Sequence, residues 1–489
     1  MAVKKEGDAQ KILDSLASAN QDKVIEQTKE NLEKERTMKL SVKEGALSTV
    51  TGSLGDAYIT PYALSLNANN IHIGLLSSFV ALLGPLAQLK GSKLMEKIPR
   101  KKLVVTGVIL HAFMWLPILV LSFLFQKGIL LNYLPAILIA LYSIYAIAGS
   151  IATPAWFSML GDIVPEKLRG KYFGKRNRII GTVGFVATLL GAFLLDLFKT
   201  KGMILLGFSV LFFAAFLFRL FAAYLFTKHY DPKLKLEDGY YFTFRQFIQK
   251  APKNNFGRFT IFVALIYFAM QVAGPFFAVY MWRDLGLGQV PVVYMLVSIS
   301  SSVFALLSVG MWGKFSDKYG NKKLLQICGF VIPFFPVLWI FSASPVYLIF
   351  VPQLIAGIGW AGFNLATINF IYDAVTPQRR AICIAYFHLV VGIGIFLGGI
   401  TGGLLASYVQ ISFMNTLLFI FLISGILRFI VVALFLPKVK EVKQVSRFKP
   451  NYILNLKQFH HVRGLIFEFF HHTVLSKAGK LKLFKRNRA

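Results

Sequence analysis

The chain has only two cysteines in 489 residues, Cys328 and Cys383, both inside apolar stretches. That excludes a disulfide framework and a cysteine-rich metal site. Acids are scarce too: 22 Asp and Glu stand against 53 Lys and Arg, and charged residues of both signs make up 15% of the chain. A soluble domain carries roughly a quarter, so most of this chain is not built for a water-facing surface. No short apolar core with a small-residue cleavage site opens the sequence, and no signal peptide is expected. His, Asp and Ser nowhere fall at spacings that would assemble a catalytic set, so an enzyme is not expected.

Apolar residues fill the space that charge leaves. Hydrophobic residues are 56% of the chain, with 47 Phe and a mean hydropathy of +0.61. Runs of about 20 apolar residues recur, long enough to cross a bilayer as helices, where backbone polar groups must be satisfied internally. Spans are expected near 45–66, 72–92, 103–125, 131–158, 179–198, 203–227, 258–281, 290–312, 324–342, 347–371, 382–408 and 413–436. The even-numbered links between them hold 25 Lys and Arg, the odd-numbered links only Lys127, Lys199, Lys201 and Arg283. By the positive-inside bias the even links and both termini lie in the cytoplasm, in a cell membrane.

The net charge of +31 would suggest nucleic acid in a soluble chain, but these cations sit at membrane edges. Residues 1–44 carry nine cations and nine acids and form an expected cytoplasmic arm. Residues 437–489 carry 13 cations with interleaved aromatics, an expected amphipathic tail on anionic lipid, with no nucleic-acid partner. His460, His461, His471 and His472 are too spread for a zinc site, and no metal or cofactor is expected. "GIGWAG" at 357–362 lies within a span and is not a dinucleotide fingerprint.

The chain repeats itself. "GDIVPEKLRG" at 161–170 returns 211 residues later as "YDAVTPQRRA"; "GSKLMEKIPRKKL" from Gly91 parallels "GKFSDKYGNKKL" from Gly313; Arg219 parallels Arg428; Asp56 and Pro61 loosely parallel Gln271 and Pro275. Two six-helix halves, 45–227 and 258–436, joined by a cytoplasmic linker at 228–257, are the expected domains, with a site at their interface.

The stretch Gly313–Lys323 resembles the cytoplasmic signature of the major facilitator superfamily (MFS), matching it in Gly313, Asp317, Lys318, Gly320, Lys322 and Lys323, with Asn321 where a cation is commoner. The first-half copy keeps Gly91, shifts the acid to Glu96, and places Ile98 and Pro99 where the second glycine would be. The resemblance covers roughly residues 40–437 and implies an all-α membrane transporter, twelve helices in two pseudo-symmetric six-helix bundles, opening alternately to either side. Two departures stand out: the fourth span lacks the Arg-containing pattern, and the fifth the Gly-Pro pattern, of many proton-coupled drug antiporters in that superfamily.

Intramembrane charge is costly and therefore informative. Asp56 lies near mid-membrane with no Lys or Arg in its own span, and is expected to bind substrate or proton, with Gln271 across the cavity and Asn364, Asn369 and Tyr372 on the tenth span. Tyr58, Tyr62, Trp115 and Trp156 would suit a cationic solute on aromatic faces. Asp162 with Arg169 and Asp373 with Arg380, repeated at the inner ends of the fourth and tenth spans, are expected to exchange partners with Glu96, Arg100, Asp317 and Lys318 in a cytoplasmic gate, Gly91, Gly313 and Gly320 permitting close approach. His111 and His388 are expected as packing residues. Arg219 and Arg428, about nine or ten residues from the cytoplasmic ends of their helices, are expected to snorkel or to support the fold. With no core cation in view, the expected substrate is a small neutral or cationic organic solute. Proton-coupled export, facilitative or symport carriage of a neutral solute such as a sugar, and a non-transporting receptor with this fold remain open.

Overall fold

The computed structural model describes residues 2–95, 97–165, 168–232 and 243–442. Glu96, the middle of the central link and the basic tail from residue 443 lie outside them. We label as α1–α12 the principal helices Ala2–Leu54, Asn70–Leu94, Arg100–Phe113, Leu134–Ile163, Arg169–Thr200, Ile204–Thr227, Asn255–Ala273, Pro291–Tyr319, Asn321–Val331, Pro352–Ala374, Pro377–Tyr408 and Thr416–Phe435. Ten helices among the described residues are long and apolar enough to cross a membrane. The first and ninth expected spans are instead broken helices.

Each break has a proline behind it. Pro61 has no N–H and crowds the carbonyl four residues earlier, so α1 stops at Leu54, passes through a 3-10 turn at Asp56–Tyr58, and resumes at Ile59–Ser65. Pro275 does the same after α7, and Pro333 and Pro336 after α9. The break in α1 sets Asp56 outside a regular helical turn.

α1 is one helix from residue 2, and its polar part joins the first half before residue 45. Thr37, Ser41 and Glu44 are buried; Tyr230 N donates to Thr37 Oγ1 at 2.9 Å and Tyr172 Oη to the Met38 carbonyl at 2.9 Å.

The glycine run of α11 seats it between the halves. A Cβ on Gly402 would lie 2.1 Å from the Val272 carbonyl of α7, and one on Gly74 of α2 would lie 2.6 Å from the Gly399 carbonyl. These helices touch backbone to backbone, as small residues allow. Beyond them, at the end opposite the basic links, Asn70 Nδ2 donates to the Ala406 carbonyl at 2.9 Å, and Arg283 donates to the Ala68 carbonyl. The halves are thus pinned together at that end.

At the basic end Arg100, its side chain almost wholly buried, donates to Asp162 Oδ2 at 2.6 Å, Ser158 Oγ at 2.9 Å and Asp231 Oδ1 at 3.1 Å. It clasps α3, α4 and the central link. Nearby His229 is 1% exposed, and burial, with Lys101 and Arg176 close by, pulls its pKa from 6.5 down to about 4. Between those values the unfolded chain binds the proton and the folded chain does not. Stability is therefore full above the unfolded pKa and is lost as pH falls through that window, by about 3 kcal/mol at most. His229→Phe is expected to flatten the fall in thermal-unfolding midpoint between neutral pH and pH 4; an unchanged pH profile would remove His229 as its source.

Candidate functional site

Tyr142 and Tyr145 stand three residues apart on α4, hence on one face. Their hydroxyls reach the α1 break: Tyr142 Oη donates to Asp56 Oδ1 at 2.9 Å and Tyr145 Oη to Asp56 Oδ2 at 3.1 Å. The two rings stack with centroids 5.1 Å apart. Asp56 remains exposed, so both oxygens are held while the group stays open to a ligand.

From this carboxylate a polar chain runs through the first half. The His111 ring stacks on Tyr145, centroids 3.7 Å apart, and its Nδ1 accepts from Arg219 Nε at 3.0 Å. Arg219 Nη1 donates to Ser48 Oγ at 2.8 Å, and Ser48 Oγ lies 3.5 Å from Glu44 Oε2. Glu44, 2% exposed, accepts from Arg176 Nη2 at 3.2 Å and Trp156 Nε1 at 3.3 Å. Arg176 also donates to Ser41. Twelve residues, most of them in α1, separate Glu44 from Asp56, roughly 18 Å at the helical rise. His111 is therefore a link in a charged network as well as a packing residue.

The second half has a different centre, a cavity of about 400 Å³ lined by Phe277, Ser301, Ser302, Trp360, Asn364 and Arg428, among others. Asn364 Oδ1 accepts from Tyr267 Oη at 2.9 Å. Arg428 is 0% exposed. Its Nη1 lies 3.3 Å from the Ile332 carbonyl, which Pro336, having no N–H, leaves without its helical donor. Its Nη2 lies 3.5 Å from the Met270 carbonyl.

Several expectations need revision. Arg219 and Arg428 do not snorkel. Arg219 lies eight residues before the end of α6 and Arg428 seven before the end of α12, about 10–12 Å at the helical rise; both turn inward and support neighbouring helices, the other role expected of them. A buried cation in the second half removes the ground on which anionic groups were set aside. Trp115, Tyr58 and Tyr62 form no aromatic box for a cation: they are fully buried, Trp115 stacks on Phe212, and the tyrosine hydroxyls donate to the Thr188 and Ile118 carbonyls. Trp156 serves Glu44.

Asp56 is held by Tyr142 and Tyr145, whereas Gln271 is buried beside Gly398 and Gly274. The three α10 residues separate: only Asn364 lines the cavity, Asn369 Nδ2 reaches Ser316 Oγ on α8 at 3.4 Å, and Tyr372 lies under the Arg380 guanidinium, 4.8 Å from ring centroid. Asp373 Oδ2 accepts from Asn321 Nδ2 at 2.7 Å. Gly91 packs on the Ile151 backbone of α4, 2.2 Å from where its Cβ would be, while a Cβ on Gly313 would meet nothing within 4 Å. Gly320 ends α8 at φ +90°, a backbone that favours glycine. Asp317 and Lys318 close the same helix.

The sequence pattern of the Major Facilitator Superfamily matches residues 46–257 and 259–488. An uncharacterized MFS-type transporter of Methanocaldococcus jannaschii is 26% identical over 399 residues, 78% of this chain and 96% of the relative. A multi-drug resistance efflux pump, PmrA of Streptococcus pneumoniae, is 26% identical over 262 residues, 52% of this chain and 61% of the pump. The crystal structure of the nucleoside transporter NupG superposes with a TM-score of 0.60 at 16% identity, covering 82% of this chain and 100% of NupG, a likeness of fold alone. Helices of bilayer length, broken at prolines and packed as two halves, carry this pattern along nearly the whole described chain, and the protein belongs to the Major Facilitator Superfamily of secondary transporters, as a multi-pass membrane protein.

Proposed function

We propose that the protein carries a small organic solute across the cell membrane by alternating access, in exchange for protons taken up at Asp56. The observation that carries this reading is Asp56 itself, exposed at a helix break, gripped by two tyrosine hydroxyls, and without an ion-pair partner among the described residues. A carboxylate at that depth gains most from a proton or a cationic ligand. Alternation between the two is the elementary step of exchange. Neutral and cationic solutes suit this half of the site, and the likeness to an efflux pump supports export.

The basic face is the cytoplasmic one in this reading, with both termini and the lipid-binding tail on that side. Asp162, Arg169, Asp317, Lys318, Asp373, Arg380 and Glu96 form its ionic latches when it closes, with Arg100 as the hub of the first half. Pinning at the opposite end and open space around Gly313 support the view that the present conformation opens toward the basic face.

Purified protein in lipid vesicles tests the reading. Solute flux driven by an imposed pH gradient is the expected result. Flux indifferent to pH favours an uncoupled carrier of a neutral solute, and binding without flux favours a receptor.

A further inference from the structure

The two halves treat their inward arginines differently. Arg219 is wired through Ser48 toward Glu44, and Asp56 lies beyond His111 and Tyr145. At the offset that sets Asp56 against Gln271, Glu44 falls against Phe259. Both acids of the first half thus have neutral counterparts in the second. Among the described residues no carboxylate forms an ion pair with Arg428, and its Nε has no hydrogen-bond partner. A buried guanidinium without a counter-charge is costly, and this one borders a cavity.

We propose that the cavity of the second half is a carboxylate subsite: Arg428 receives a carboxylate on the transported solute, and the apolar or aromatic body of that solute lies among Phe277, Phe335 and Trp360. The cavity walls fit one such group. They supply a single cation, with Ser301, Ser302, Gln353 and Asn364 as additional polar residues and aromatic faces elsewhere. A multiply charged phosphate would need more cations than the cavity offers. The Nη contacts to Ile332 and Met270, at 3.3 and 3.5 Å, fix the guanidinium and leave its charge unneutralised. The subsite deepens the carrier reading, on which it rests for the solute's passage. In the solute-bound state Asp56 holds the solute's cationic end in place of its proton, and Arg428 holds the carboxylate in the other half.

The test is equilibrium binding to the purified full-length chain in lipid nanodiscs, with benzoate and indole-3-carboxylate as probes, each beside its amide. At least one carboxylate is expected to raise the unfolding temperature and to bind at least tenfold more tightly than its amide. Arg428→Gln removes that preference and Arg428→Lys restores part of it. Because Arg428 also satisfies a helix carbonyl, Ala305→Phe, which fills the cavity and leaves Arg428 in place, is a second arm and is expected to abolish binding. Equal binding of acid and amide, no binding of either acid, binding reproduced by chloride or sulfate, or full binding in Arg428→Gln and Ala305→Phe would each overturn the subsite. The two readings fail separately. Carboxylate binding at Arg428 without flux of any solute overturns the carrier, whereas pH-driven flux of a neutral solute with no carboxylate bound overturns only the subsite.

Discussion

Asp56→Asn is expected to uncouple transport from the pH gradient while leaving the fold intact. In vesicles with one pH unit imposed, exchange of one proton per solute sustains about a tenfold concentration ratio, the equivalent of about 1.4 kcal/mol. In the variant that ratio falls to about one, because asparagine accepts from one tyrosine hydroxyl through Oδ1 and donates to the other through Nδ2 but takes no proton. Solute still equilibrates down its own gradient, since the moving parts are untouched. Tyr145→Phe and Tyr142→Phe each remove one donor to Asp56 and shift the pH at which coupling is half-maximal without erasing it. A variant at position 56 that still accumulates solute tenfold would remove this residue from the coupling step.

The largest structural effect is expected from Arg176→Leu. Arg176 and Glu44 meet at 3.2 Å with side chains 10% and 3% exposed, and Glu44 has Trp156 as its other strong donor. Removing the arginine strands a buried carboxylate, a loss of about 3–5 kcal/mol where one partner of a buried pair is taken away. The double variant Glu44→Leu with Arg176→Leu recovers most of that loss, because neither charge is then stranded. Thermal or detergent unfolding of the purified protein measures both. Equal destabilisation by the single and double variants would mean that packing, and not charge, holds α1 to α5.

Much of this architecture was legible in the sequence, since a bilayer leaves a chain few choices. Apolar runs of bilayer length must be helices, the cations of the even links mark one face, and a lone aspartate in an apolar run stands out. What stayed hidden shares a cause: hydropathy gives depth and not direction. For Arg219 and Arg428 the apolar pattern gives an approximate depth, but the face each presents depends on which neighbour packs there, and the lost carbonyl of Ile332 is visible only once α9 is seen to break. Glu44 reads as part of the arm because a hydropathy window ends where charge begins, and a charge neutralised inside the bundle by Arg176 looks the same as one in water. Tyr142 and Tyr145 offered a usable signal, two hydroxyls three residues apart in a span, though tyrosine is common enough in spans to be passed over. Gly91 and Gly313 occupy matching places in the repeat yet have different surroundings, one against backbone and the other in open space, a difference that a sequence repeat does not carry.

Central to the account is the motion of the two halves about a shared cavity, with one face closing as the other opens. Paired spin labels measure it most directly: one pair at positions 93 and 314 on the basic face, one pair at 127 and 346 on the opposite face. On shifting pH across the coupling range or adding solute, the account predicts that the first distance shortens while the second lengthens in the same sample. Both distances fixed under every condition, or both moving in the same sense, would contradict it.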